Sequence, residues 1–168
     1  GTTLLQSLLG AHPRIATARE THFFSHVSTP RLRRLGMASP KRLRFLWDRL
    51  PGAEGSPPLP LLRFCGQGFT RAFDRLADEA GAAAWVEKTP GHVYELDVIT
   101  RVVPDARYVH LIREPTDVVA SLHRCSTKNP RIWGGPYSIE TCVDRWVRAA
   151  RASESWSQHP DHLLVSYG

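Results

Sequence analysis

A chain of 168 residues, 42% hydrophobic and 23% charged, has the size and composition of one globular domain able to bury a core without disulfide staples. No apolar run reaches the ~20 residues of a membrane-spanning helix, and no basic stretch followed by an apolar core marks a signal peptide. The formal net charge of +6 favours anionic ligands, and only Lys41, Lys88 and Lys128 among the 22 basic residues are lysines. No stripe of Lys and Arg interleaved with aromatics points to nucleic acid. Cys65, Cys125 and Cys142 lie far apart with no Cys-x-x-Cys pair, which argues for structural thiols in a reducing compartment and against a metal site.

In chain order, apolar residues at 4, 5, 8 and 9 predict a helix from Thr3 to Gly10, closed by Gly10 and the nearby Pro13. Residues 14–30 read as a connection holding Glu20 and Phe23-Phe24. From Pro30 to Pro60 the pattern is basic and broken by Pro and Gly. It contains one amphipathic helix, Pro40 to Leu50, with Leu43, Leu46, Trp47 and Leu50 on one face. Gly52 to Pro60 is a loop, and Leu61 to Ala80 a helix with Phe69, Phe73 and Leu76 inward. Ala82 to Val86 reads as a buried strand, Val93 to Val103 as an amphipathic helix, and Arg107 to Ile112 as a second strand. Pro115 sits at the first turn of a helix running through Val118, Val119 and Leu122. Asn129 to Pro136 is a loop, Ile139 to Trp156 a long helix, and His162 to Tyr167 a final strand. This alternation predicts an α/β fold with a parallel sheet. Ligands of such sheets bind beyond the carboxyl ends of the strands, where Lys88 and Arg113 fall.

Four places carry candidate chemistry. Gly1-Thr2-Thr3 is a glycine-led turn feeding a helix, which points free N–H groups and the helix dipole at an anion; a plain helix cap has the same look. The Gly-Lys-Ser/Thr of an ATP-binding loop is missing there. Arg113 ends a strand, and Ser121 follows on the next helix. One arginine and one hydroxyl suit a phosphate, and an arginine capping a helix is the structural alternative. Lys88 offers a compact ammonium suited to charge on a single leaving oxygen, or else a surface lysine paired with Glu87. Glu20, beside Phe23 and Phe24, is a candidate general base or an ordinary loop acid. His22 and His92 read as structural histidines.

These segments carry a resemblance. Gly1-Thr2-Thr3-Leu4-Leu5 with Ala11-His12-Pro13, Glu20 beyond that proline, Glu87-Lys88-Thr89-Pro90, and Arg113-Glu114-Pro115 leading through Asp117-Val118-Val119 to Ser121-Leu122 resemble the ordered motifs of the sulfotransferase superfamily. Its enzymes use 3′-phosphoadenosine 5′-phosphosulfate (PAPS). The likeness is to the branch of tyrosylprotein sulfotransferases and bacterial sulfotransferases. It spans nearly the whole chain, with little from residues 31–80.

The resemblance implies a P-loop-like three-layer α/β fold with a central parallel sheet flanked by helices. It implies one domain over residues 1–168 with a helical insertion at about 31–80. It places Gly1, Thr2 and Thr3 at the 5′-phosphosulfate, Arg113 and Ser121 at the 3′-phosphate, and Tyr167 near the nucleotide. Arg124 is a looser addition to the 3′-phosphate site. Glu20 becomes the general base and Lys88 the group that stabilises the transferring sulfuryl, with PAPS as co-substrate and no metal. The acceptor is a hydroxyl on a peptide tyrosine, a glycan, a lipid or a carrier. Residues 31–80 and the loop 129–137, with Trp133 and Tyr137, are expected to shape its pocket. Homodimer formation stays open. A bacterial protein would be cytoplasmic, and a eukaryotic one would lie in the Golgi lumen. The family's upstream strand and its downstream Glu-Asp-Leu do not occur, so the chain is expected to be a piece truncated at both ends. Two other readings remain: a P-loop kinase-like phosphotransferase needing ATP and Mg²⁺, and a non-catalytic fragment that binds anions or nucleic acid.

Overall fold

The structure, a computed structural model, describes residues 1–167. Contacts gather the chain into two compact units, Gly1–Ala106 and the stretch from Arg107 onward.

The first unit runs α1 (Thr2–Gly10), β1 (Ile15–Thr17), α2 (Phe23–His26), α3 (Pro30–Arg34), α4 (Pro40–Trp47), α5 (Leu62–Glu79), β2 (Ala84–Val86), a 3-10 turn (Pro90–Tyr94) and α6 (Leu96–Val102). β1 and β2 pair in parallel, with Ile15 opposite Ala84, Ala16 opposite Trp85 and Thr17 opposite Val86. The predicted connection 14–30 therefore contains a strand and a short helix. Elements of three and four residues are too short for periodicity to reveal. β2 is shorter than predicted and not buried: Ala84 is exposed, and Trp85 and Val86 are half-buried. The predicted helix from Val93 is split between the 3-10 turn and α6.

An aromatic cluster forms the core of this unit. Phe24 and Phe23 lie 4.9 and 5.2 Å from the Phe69 ring, Phe69 lies 4.8 Å from Phe73, and Phe73 lies 4.8 Å from Trp85. The buried stripe of α5 (Cys65, Phe69, Ala72, Phe73, Ala77) follows the helical period, with Leu76 only half-buried at its margin. Each fully buried Phe contributes roughly 1.5–3 kcal/mol. Leu43, Leu46, Trp47 and Leu50 are buried as the sequence predicts, although α4 ends at Trp47. α3 starts with Pro30 in its first turn, and the Thr29 hydroxyl accepts from the Leu32 N–H at 3.3 Å. Gly66 marks the contact between α5 and α6, where a Cβ would lie 2.4 Å from the Val102 carbonyl oxygen.

The second unit runs β3 (Tyr108–Arg113), α7 (Pro115–Lys128), α8 (Pro130–Trp133), α9 (Ile139–Glu154) and β4 (His162–Tyr167). β3 and β4 pair in parallel from Tyr108 opposite His162 to Arg113 opposite Tyr167. Parallel neighbours need a long crossover, which the helices between them supply. The predicted loop 129–136 holds α8 and is pinned to α7. Ser126 accepts from the Tyr137 N–H at 3.0 Å, His123 Nδ1 donates to the Tyr137 carbonyl at 2.8 Å, and the Tyr137 hydroxyl donates to the Trp133 carbonyl at 2.6 Å.

The architecture is thus mixed α/β with parallel strand pairing, as the alternation of elements predicts. All three cysteines are free thiols; Cys65 and Cys142 are buried, and burial pushes Cys65 up to about 12, that of an inert structural thiol. Among the described residues no helix is long and apolar enough to cross a membrane.

Candidate active site

The parallel register of β1 and β2 sets the site in the first unit. Thr17 stands opposite Val86, so the segments leaving the two carboxyl ends start level. Glu20 comes three residues after β1, and Lys88 two residues after β2. The two side chains meet: Lys88 Nζ donates to Glu20 Oε1. Lys88 is largely covered, with 15% of its side chain exposed, whereas Glu20 keeps 36% open to solvent. The second carboxylate oxygen of Glu20 faces His22 Nε2 at 3.4 Å.

Glu87 does not pair with Lys88, the structural alternative raised by the sequence. Its side chain, only 7% exposed, turns inward. Strand alternation gives the reason: Glu87 falls on the same face as Trp85, which packs on Phe73. Oε1 of Glu87 accepts from the Thr21 N–H at 3.2 Å, the Thr21 hydroxyl at 2.9 Å and the Thr89 hydroxyl at 2.6 Å. Oε2 meets His92 Nδ1 at 3.1 Å. The Thr89 oxygen in turn accepts from the N–H groups of Thr21 and His22 at 3.1 and 3.2 Å. His92 Nε2 accepts from the Phe24 N–H at 3.3 Å, which assigns the Nδ1–H tautomer and makes His92 the satisfied structural histidine expected. Burial pushes the Glu87 carboxyl up, but the His92 ring and the Thr89 and Thr21 hydroxyls outweigh it and hold the carboxyl below its usual range.

His22, next to this network, adopts left-handed backbone with φ 52°, the one non-glycine residue to do so among the described residues. Such a conformation costs about 1–3 kcal/mol and persists only where the surroundings over-determine it. The sequence names Glu87 only as a partner for Lys88 and Thr89 only within a motif, and it gives Thr21 no role. The alternation that pairs Trp85 with Glu87 was the signal available.

Gly1 caps α1 without a side-chain hydrogen bond, and Thr2 and Thr3 form the first turn, whose N–H groups have no partner within the helix. Gln6 Nε2 donates to the Ala18 carbonyl at 2.6 Å, which ties α1 to the segment carrying Glu20. Gly10 is the last helical residue, where the sequence predicts the helix to end. A Cβ there would sit 3.0 Å from Thr17 Cγ2, so glycine lets α1 close on β1.

In the second unit Arg113 and Tyr167 share the last rung of the β3–β4 ladder, and the guanidinium carbon lies 5.8 Å from the Tyr167 ring centre. Arg113 Nη2 donates to Asp117 Oδ2 at 2.7 Å, in the first turn of α7. That is the amino-terminal end of a helix, so Arg113 does not cap a helix carboxyl end. Its Nε is buried with no hydrogen-bond partner among the described residues. Ser121 is half-buried on α7, and no hydrogen bond joins it to Arg113 among the described residues. Arg124, one helical turn on, is exposed.

The same unit contains a histidine cluster with no counterpart in the sequence reading. His110 Nδ1 pairs with the Ser153 hydroxyl at 3.1 Å, and His110 Nε2 with His162 Nδ1 at 2.7 Å. The His162 ring stacks between Tyr108 at 4.3 Å and Trp156 at 5.1 Å. Among the described residues no group of three His, Cys, Asp or Glu side chains is placed to hold a metal ion.

A carboxylate and an ammonium, paired at the carboxyl ends of parallel strands, form a proton acceptor beside a cation, where α/β sheets bind ligands. Against known families, the sulfotransferase family matches residues 1–167. The chain belongs to the sulfotransferase family. Its parallel strands and flanking helices are consistent with the P-loop-like fold of a sulfotransferase. Family membership makes the protein a sulfuryl-transfer enzyme and implies a sulfonate donor. Neither curated proteins nor solved structures match the chain.

Proposed function

We propose that this sulfotransferase moves a sulfuryl group from PAPS to an acceptor hydroxyl, with Glu20 as general base and Lys88 as the cation that neutralises charge during transfer. The observation that carries the reading is the Lys88–Glu20 pair beyond β1 and β2. Sulfuryl transfer asks the protein for in-line positioning and electrostatic stabilisation, by the same logic as phosphoryl transfer.

The donor set suits PAPS. The Lys88 ammonium and the first-turn N–H groups of Thr2 and Thr3, with Gly1 leading them, are assigned to the 5′-phosphosulfate. Arg113, Ser121 and Tyr167 are assigned to the 3′-phosphorylated nucleoside, with the unpartnered Arg113 Nε as a spare donor for phosphate. When bound, PAPS supplies a sulfuryl group on a phosphate leaving group. Lys88 releases Glu20 and turns to the donor's negative charge. Glu20 then takes the proton of the acceptor hydroxyl, and His22 holds its second oxygen.

The acceptor's path is assigned to a concavity of about 310 Å³ lined by His26, Arg42, Phe45 and Leu46. The His26 ring lies 5.7 Å from that of His22, beside Glu20. Within the basic segment that follows Pro30, Arg33 is committed to Glu95 inside the fold, and Arg44 contacts Asp48 at the surface.

Thermal shift with 3′-phosphoadenosine 5′-phosphate (PAP), ATP–Mg²⁺ and a DNA oligomer in parallel tests the donor. At one hundred times its dissociation constant a ligand stabilises by about 2.7 kcal/mol, a rise of roughly 5–10 °C at this size. The reading expects that rise with PAP alone. A rise with ATP–Mg²⁺ or DNA and none with PAP contradicts it.

A further inference from the structure

We infer that Glu87 is a positioning residue of the transfer site, holding the Glu20 segment and the Lys88 segment in register through a closed hydrogen-bond network. This inference rests on the proposed roles of Glu20 and Lys88. β1 and β2 end at Thr17 and Val86, so beyond them no strand pairing aligns the two segments. A buried carboxylate takes over that task. From the β2 side come Glu87, Thr89 and His92, and from the β1 side the Thr21 hydroxyl and the N–H groups of Thr21, His22 and Phe24.

The flanking positions explain the effect on chemistry. Glu20 precedes Thr21 and Lys88 lies between Glu87 and Thr89, so each member of the reactive pair is bonded in the chain to a member of the network. The network also holds His22 in its left-handed conformation, and His22 reaches back to Glu20 Oε2 at 3.4 Å. Glu87 is suited to this role and not to proton transfer. Its Oε1 already accepts three hydrogen bonds, its Oε2 faces His92 Nδ1, and its side chain is nearly closed to solvent. Loss of its charge would let the two segments slip, and a misplacement of about 1 Å costs roughly 100-fold in rate.

Three variants and two readouts test this. Glu87→Gln keeps the size of the side chain and removes an acceptor for His92 Nδ1–H. Thr89→Ala removes the hydroxyl, and Thr89→Ser restores it. Expected are a fall in kcat of about 10- to 100-fold per folded molecule for Glu87→Gln and Thr89→Ala, unchanged PAP affinity, and recovery in Thr89→Ser. The second readout is independent of turnover: acetic anhydride labelling of lysines, mapped by mass spectrometry. Exposed Lys41 and Lys128 serve as internal references for the covered Lys88. Glu87→Gln is expected to raise Lys88 labelling severalfold relative to both. Unchanged Lys88 labelling, or a rate loss that only follows the folded fraction, overturns the inference. If the wild type binds PAP and transfers no sulfuryl group, the proposed function fails while the labelling still decides the positioning role.

Discussion

Lys88 and Glu20 hold each other in an ion pair although 68 residues separate them in the chain. The parallel pairing of β1 with β2 makes this possible, because both residues leave strand ends that stand level. Each partner masks the other: the carboxylate is not free to take a proton while it accepts from the ammonium. Separation of the pair by an anionic donor would therefore switch on both groups together.

Lys88→Met should lower the single-turnover rate by about 10²–10³, the usual cost of removing one group that stabilises developing charge. Met keeps the covered apolar stem of Lys88, and Glu20, with 36% of its side chain open to solvent, is left hydrated, so the melting temperature should barely change. Quenched-flow measurement of PAP release, with calorimetric melting as the control, checks both parts.

Arg113→Ala should weaken PAP binding by about 10- to 100-fold, the loss expected of one hydrogen bond to a charged group. Titration calorimetry reads this directly. Asp117 would lose its partner in the same variant, and its place in the first turn of α7 softens that loss through the helix dipole.

Acid should destabilise the protein in two stages. Burial, followed by the neighbouring His110 and His159, lowers His162 to about 4, against an opposing contribution from Asp161. A base with a depressed folded-state pKa contributes stability that is complete above its ordinary value of about 6.5 and is lost as pH falls toward the folded value. Glu87 is depressed as well, so its contribution is complete above the ordinary carboxylate range and disappears as pH falls below it. The melting temperature should fall first between about pH 6.5 and 4, then further at lower pH. His162→Phe keeps a ring between Tyr108 and Trp156, lowers stability at neutral pH by stranding His110 Nε2, and should flatten the first stage. Melting curves from pH 7 to 4 decide it.

Gly66→Ala should cost about 1–3 kcal/mol, because the added methyl meets the backbone of α6 at Val102 and backbone cannot rotate away. At this length each kcal/mol lowers the melting temperature by roughly 2–4 °C, which differential scanning calorimetry resolves.

Which features the sequence disclosed follows from the range of the forces involved. The stripe of α5 was legible because burial on one face leaves a local period. Glu20, Lys88 and Arg113 were legible as candidates because each stands beside a strand end or a short motif. β1 and α2 were not, since three or four residues hold too little pattern, and both depend on Phe69 and Trp85 far along the chain. The partners of Glu87 come from both ends of the first unit. Its local neighbour Lys88 was the obvious but wrong choice, because a side chain's inward turn depends on what lies beneath the strand. His110 and His162 meet only through the register of β3 and β4, which no local spacing encodes.

The most direct test of the account is Glu20→Gln, followed by single-turnover sulfuryl transfer from PAPS and by PAP calorimetry on the same preparation. The amide keeps the shape of the carboxylate and cannot take a proton. The account predicts wild-type PAP affinity with the transfer rate reduced by about 10²–10⁴. An unchanged transfer rate would contradict it and remove Glu20 from the role of base.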